Sequence, residues 1–185
     1  MATIIRGLFL PIIVFFVASF SQSEGAFDFR QFCQRTTHSG TCIFVILADP
    51  RINLRTTPNG LGTILNDKAK SVTATTSSKI STLLKRSTNP KLGRDLQICS
   101  DIYDRNKDRL KQDFSSFNRA KYLNIVTALG GVFDEAGDCE RIFKEPSSPI
   151  ASPLTVENQN LRTLVETTLQ ILNLIECNKI AACIG

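Results

Sequence analysis

The single histidine, His38, is the first residue to consider for acid–base chemistry. It lies in the break His38-Ser39-Gly40, between two short apolar stretches. A lone histidine in a loop is far more often a solvated turn residue than a general base. We therefore interpret His38 as a solvated turn residue.

Four carboxylates cluster farther along the chain, at Asp134, Glu135, Asp138 and Glu140. Asp134 and Asp138 are spaced to share one helix face, which could suggest a catalytic carboxylate pair. No apolar pocket pattern surrounds them, and no second helix contributes an obvious acidic partner. The pattern therefore predicts a solvated helix face.

Motifs that carry other chemistries are missing from the sequence. It contains no Gly-x-Ser-x-Gly elbow, phosphate-binding glycine loop, His-Glu-x-x-His pair or dinucleotide fingerprint. With one histidine in the chain, we predict a protein that is not an enzyme, with no cofactor and no metal site.

Cysteines are the remaining reactive side chains. Cys33 and Cys42 flank the break at His38, so a bridge between them would contribute about 2.7 kcal/mol by loop closure. Cys99 and Cys139 occupy the apolar stripes of two neighbouring segments, and a bridge there would contribute about 4 kcal/mol. Six cysteines allow fifteen pairings, so spacing alone leaves the connectivity open.

The last two cysteines, Cys177 and Cys183, follow the final helical pattern. They either form a local third disulfide or remain free thiols. A zinc site is the alternative, but Cys-x5-Cys without a nearby histidine is a poor ligand spacing.

The N-terminus predicts secretion. Residues 1–25 carry Arg6, an apolar block and then small polar residues, the order of a signal peptide. The apolar stretch is shorter than the roughly 20 residues of a bilayer span. We expect one soluble mature domain, 26–185, with no membrane segment and with disulfides formed in an oxidising compartment.

Hydrophobic spacing in that domain is helical throughout. We predict an all-α fold, with a short hairpin over 27–50, a linker carrying the turn Pro58-Asn59-Gly60, and an up-down-up-down four-helix bundle over 61–176. Gly130-Gly131 indicates close helix packing within the third long helix. The four long helices are predicted at Leu61–Lys85, Asn89–Phe117, Asn118–Phe143 and Leu154–Glu176.

The formal net charge is +5. Removal of residues 1–25 takes away one base, Arg6, and one acid, Glu24, so the balance is unchanged. Basic residues are scattered along the chain and interleaved with acids, which argues against specific nucleic-acid binding. The net positive charge is compatible with a loose attraction to polyanions such as acidic pectin.

Several segments resemble the plant invertase and pectin methylesterase inhibitor family. Ala48-Asp49-Pro50-Arg51 after the first two cysteines resembles its N-terminal hairpin. Leu96-x-x-Cys99-x-x-x-Tyr103 and Phe133-Asp134-x-Ala136-x-x-Cys139-Glu140-x-x-Phe143 resemble its second and third helices. Residues 152–158 are similar to the last helix in the branch that includes pollen proteins described as "putative invertase inhibitors".

The resemblance implies a four-helix bundle with a hairpin extension and the disulfides Cys33–Cys42 and Cys99–Cys139. It also implies a protein secreted to the cell wall, with the vacuole as an alternative, that inhibits a pectin methylesterase or an acid invertase in a one-to-one complex. A helical carrier, or a signalling or structural protein on the same fold, remains the alternative function.

Invertase inhibitors of the family carry a Pro-Lys-Phe tripeptide that enters the invertase active site. The matching stretch here is Ala120-Lys121-Tyr122, which keeps the lysine and an aromatic ring but not the proline. Lys121 and Tyr122 are therefore the candidate target-binding residues.

Overall fold

The computed structural model describes residues 27–115, 119–144 and 150–180. The predicted signal peptide, 1–25, lies outside these ranges. The described part contains no strand. Its helices, in chain order, are α1 (Phe29–Gln34), α2 (Ser39–Ala48), a 3₁₀ helix (Ile52–Thr56), α3 (Pro58–Arg86), α4 (Pro90–Arg109), α5 (Arg119–Ile142) and α6 (Thr155–Ile180).

The four long helices form a closed bundle. Each packs on the next in sequence, and α6 returns to pack on α3. At one end, the Asn66 side-chain amide near the start of α3 donates to the Leu110 carbonyl at the end of α4, over 3.0 Å, so these neighbours are antiparallel. Helices α1 and α2 form a hairpin against α3 and α6. The structure confirms the all-α, disulfide-stapled four-helix bundle with its N-terminal hairpin.

Helix α3 begins earlier than the sequence predicts. Pro58-Asn59-Gly60 forms its first turn instead of a linker turn, and the Thr57 hydroxyl caps it by accepting from the Gly60 amide. Proline suits this position because its missing N–H would have no partner there. Glycine is required at position 60, since a Cβ there would lie 2.0 Å from the carbonyl oxygen of Leu54.

Helix α4 ends at Arg109, so the predicted end at Phe117 is wrong. Leu110 caps the helix, and its carbonyl accepts from Asn66 rather than from a next helical turn. Phe114, in the connection that follows, is nonetheless 3% exposed because its ring packs against Gly62 of α3. An apolar residue at helical spacing therefore reaches the core from a loop. Phe117 lies outside the described residues.

The core fills the space between the four long helices. Fully burying a leucine or isoleucine side chain contributes about 1.5 to 3 kcal/mol each, so these side chains dominate the stability of the bundle. Its largest fully buried side chains are Tyr103, Phe143, Ile46, Leu61, Ile64, Leu65, Ile80, Leu96, Leu110, Ile125, Leu129 and Leu154.

The two adjacent glycines of α5 differ in their surroundings. A Cβ on Gly131 would lie 3.0 Å from the guanidinium of Arg109, so this glycine makes room for a side chain of α4. A Cβ on Gly130 would meet nothing within 4 Å. Close packing is therefore confirmed at Gly131 and is wrong at Gly130.

Candidate functional site

Lys121 lies in the first turn of α5, at the bundle end where α4 finishes. Its ammonium nitrogen is 2.6 Å from Oδ2 of Asp113, in the connection between α4 and α5. The hydrogen bond from Lys121, aided by one from Ser115, holds the pKa of Asp113 far below its usual range. The predicted target-binding lysine is therefore ion-paired within its own chain.

Tyr122 is held in a similar way. Its hydroxyl donates to the side-chain oxygen of Asn173 on α6, over 2.5 Å, and partial burial raises the pKa of the phenol. The next residue, Leu123, is 53% exposed. The structure thus brings Lys121 and Tyr122 together at the start of α5, tied to α6 and to the preceding loop, with an exposed leucine beside them.

Other exposed apolar side chains lie on the hairpin and the segment after it. Phe44 is 72%, Ile52 68% and Leu47 44% exposed. A shallow groove of about 260 Å³ runs beside Phe44, between α2 and α3. Sequence reasoning missed this surface, although the run Ile43–Leu47 has more consecutive apolar residues than one buried helix face can accommodate.

The hairpin is fixed to α6 at its turn. The Thr37 amide donates to the Gln170 side chain, which donates back to the Thr37 hydroxyl, each over 2.8 Å. His38 Nε2 lies 3.1 Å from a carboxylate oxygen of Glu166. The interpretation of His38 as a solvated turn residue is therefore wrong, because its ring is two-thirds buried and contacts α6.

Two disulfides join helices in the described part of the chain. Cys33–Cys42 joins α1 to α2, and Cys99–Cys139 joins α4 to α5. All four cysteines are fully buried. Cys177, within α6, is also disulfide-bonded, whereas Cys183 lies outside the described residues.

A polar network lies next to the Cys99–Cys139 bridge and joins three helices. The Tyr103 hydroxyl of α4 donates to Oδ1 of Asn158 on α6, over 2.8 Å, and Asn158 donates to Glu140 on α5, over 3.1 Å. Burial raises the pKa of Tyr103 well above its ordinary value. Burial opposes ionisation of Glu140, but hydrogen bonds from Asn158 and Thr155 outweigh it and lower the pKa of Glu140.

The acidic cluster is only partly the solvated face predicted from the sequence. Asp134 is exposed, but the side chains of Glu135 and Glu140 are 16% and 18% exposed. Arg105 and Arg109 of α4 form ion pairs with Glu135. These carboxylates cross-link helices. Among the described residues, no group of histidine, cysteine or carboxylate side chains is arranged to hold a metal ion.

Residues 28–171 match the family described as "Plant invertase/pectin methylesterase inhibitor". The chain belongs to this family. The relatives named below likewise carry the names of inhibitors. Membership therefore confirms the prediction of an enzyme inhibitor rather than an enzyme.

Curated relatives include two kinds of inhibitor. The chain is 27% identical over 174 residues to the "Pectinesterase inhibitor" of Actinidia deliciosa, covering 92% of this chain and 93% of the relative. It is 28% identical over 134 residues to the "Putative invertase inhibitor" of Platanus orientalis, covering 72% of this chain and 78% of the relative.

The fold matches solved structures as well. A mutant form of a pectin methylesterase inhibitor from Arabidopsis superposes with a TM-score of 0.63, at 18% identity, over 80% of this chain and 96% of that one. A second Arabidopsis pectin methylesterase inhibitor gives a TM-score of 0.56, at 17% identity, over 79% of this chain and 94% of that one. At these identities the likeness shows the fold. Of the helices described, none combines the length and apolar character needed to cross a membrane.

Proposed function

We propose that the mature protein, residues 26–185, is secreted to the plant cell wall and inhibits a pectin methylesterase by covering its active-site cleft in a one-to-one complex. The observation that carries this proposal is the family match over residues 28–171. Removal of residues 1–25 as a signal peptide is part of the same proposal.

Occlusion suits the architecture. An inhibitor that blocks a cleft needs a preformed surface and no reactive group, and burial of about 1,600 Å² in total is enough for a stable complex. Disulfides and interhelical polar contacts reduce the conformational freedom lost on association. The Cys99–Cys139 bridge and the Tyr103–Asn158–Glu140 network supply that rigidity here.

Two observations favour pectin methylesterase over invertase as the target. The pectinesterase inhibitor relative aligns with 92% of this chain, whereas the invertase inhibitor relative aligns with 72%. In addition, Lys121, which matches the lysine of the tripeptide that enters the invertase active site, is already paired with Asp113. Breaking that pair would add to the free-energy cost of an invertase complex.

The direct test is inhibition of each enzyme by the oxidised mature protein. We expect a one-to-one complex with a plant pectin methylesterase at mildly acidic pH, and complete inhibition at micromolar concentration. Acid invertase should be inhibited weakly or not at all. Full activity of both enzymes would contradict the proposal, and stronger inhibition of invertase would reverse the choice of target.

The role of Lys121 and Tyr122 is tested with a double variant, Lys121→Ala/Tyr122→Ala. It should reduce any inhibition of invertase more than inhibition of pectin methylesterase. Arg119→Ala is the matched control, because this exposed basic residue begins the same helix. Equal losses for both enzymes would remove the reason to assign these two residues to invertase.

A further inference from the structure

The bundle end where α3 meets α4 carries more positive charge than it can neutralise. Four acidic residues near this end are each paired with a lysine or an arginine. These pairs are Lys79 with Glu157, Lys91 with Asp95, Arg141 with Asp138, and Lys144 with Glu140. Three further basic residues lie at this end, within ten residues of one another in the sequence.

The excess residues are Lys85, Arg86 and Arg94, which we call the basic end. All three are exposed, and none has an ion-pair partner among the described residues. Lys85 and Arg86 lie in the last turn of α3, and Arg94 lies near the start of α4. The connection between these helices is only Ser87–Asn89, so the Cα atoms of Arg86 and Pro90 lie within about 14 Å of each other.

Helix α4 adds to the positive potential at this end. Its N-terminus points here, and its first turn contains no acidic residue. The positive end of the helix dipole is therefore not compensated by a neighbouring carboxylate. The three connecting residues are small and uncharged, so the basic side chains on either side of them can be approached by a long polymer.

The residues present select one kind of polyanion. Arginine binds carboxylates in a two-pronged geometry and lysine provides a point charge. The segment 85–94 contains no aromatic residue on which a nucleic-acid base could stack. Its only large apolar residue, Leu92, packs against the core rather than facing a lipid surface.

We propose that the basic end binds demethyl-esterified pectin, a linear polymer with one carboxylate on each sugar. This choice of polymer rests on the proposed function, because pectin methylesterase removes methyl esters and leaves carboxylates on the chain. Pectin that the enzyme has already demethyl-esterified would then bind the inhibitor and keep it near the enzyme.

The test compares two triple variants that lose the same net charge. The first, Lys85→Ala/Arg86→Ala/Arg94→Ala, removes the basic end. The control, Lys68→Ala/Lys107→Ala/Lys111→Ala, removes three exposed lysines elsewhere on the molecule. Binding of each oxidised protein to polygalacturonate, fully methyl-esterified pectin and single-stranded DNA is measured at pH 5.5 over a range of salt concentrations, after circular dichroism has established that both variants are folded.

Polygalacturonate binding should weaken by about tenfold to a hundredfold in the first variant and by less than about threefold in the control. Its dependence on salt should also become shallower only in the first variant. Esterified pectin should not bind any of the proteins. Equal weakening of the two variants, or tighter binding of wild type to DNA than to polygalacturonate, would overturn the proposal.

Inhibition of pectin methylesterase by the wild-type protein is measured separately, with a soluble, highly esterified substrate. A wild-type protein that inhibits pectin methylesterase but does not bind polygalacturonate would refute this inference alone. Binding at the basic end by a wild-type protein that inhibits neither enzyme would refute the proposed function instead.

Discussion

The two tyrosines of this chain allow a controlled measurement of what burial adds to a hydrogen bond. Each donates its hydroxyl to the side-chain oxygen of an asparagine on α6, Tyr103 to Asn158 and Tyr122 to Asn173. Tyr103 is 0% and Asn158 1% exposed, whereas Asn173 is exposed to solvent. Replacement by phenylalanine removes one hydroxyl and leaves the ring in place, so the chemical change is the same at both sites.

Tyr103→Phe should lower the free energy of unfolding by about 1 to 3 kcal/mol, because Oδ1 of Asn158 is left buried without its donor. For a domain of this size the loss corresponds to a fall in Tm of about 2 to 12 °C. Tyr122→Phe should cost less than about 0.5 kcal/mol, since water can replace the lost hydroxyl at an exposed asparagine.

The assay is urea unfolding of the oxidised proteins, followed by circular dichroism at constant pH. Both variants should keep the m value of wild type, because the surface exposed on unfolding is unchanged. Equal losses in the two variants would refute the reasoning, since they would mean that burial does not decide the value of these bonds.

Alkaline titration of the same variants provides a second measurement. Burial raises the pKa of Tyr103. The folded state therefore favours the neutral phenol, and its contribution to stability is fully present below about pH 10 and is lost as the pH rises further. Stability above pH 10 should therefore fall more steeply in Tyr122→Phe, which retains Tyr103, than in Tyr103→Phe. The chain has no tryptophan, so tyrosinate absorbance can be followed without interference.

Three further predictions concern the stability of the helical bundle. In thermal unfolding, Gly60→Ala should destabilise the protein by at least about 2 kcal/mol, because the added Cβ would meet the carbonyl oxygen of Leu54. Gly130→Ala should instead stabilise the protein by about 0.5 to 1 kcal/mol, because a Cβ there meets no neighbouring atom. A stabilising effect of Gly60→Ala would contradict the geometry. Loss of the Cys99–Cys139 bridge in the double alanine variant should cost about 4 kcal/mol, and an unchanged Tm would argue against the bridge. Because the pKa of Glu140 is lowered, its carboxylate contributes stability that is present above about pH 4.5 and is lost as the pH falls. The free energy of unfolding of Glu140→Gln should therefore depend less on pH below about 4.5 than that of wild type. The same pH dependence in both proteins would contradict this role of Glu140.

The helices themselves were predictable, because their apolar residues recur at helical spacing. The boundaries were not, for two physical reasons. Leu110 and Phe114 keep that spacing past the end of α4, although Phe114 reaches the core from a loop. Pro58-Asn59-Gly60 is typical of a turn and equally of a helix start, and only the approach of the Leu54 carbonyl to Gly60 distinguishes the two.

Contacts between distant residues were not predictable by the same reasoning. His38 was interpreted from its neighbours in the sequence, whereas its partner Glu166 is on α6. The pairing of Lys121 with Asp113 depends on where α4 ends, which the sequence pattern misplaced. The exposed apolar residues of the hairpin could have been anticipated, because α2 is apolar on more than one face.

The length of α3 has a consequence for how such a molecule would work in a wall. The helix has 29 residues, and at about 1.5 Å per residue it extends about 43 Å. The basic end lies at one terminus of this helix, while the start of α5 and the groove beside Phe44 lie towards the other. An enzyme bound at that other end would therefore lie about one bundle length from a polymer bound at the basic end.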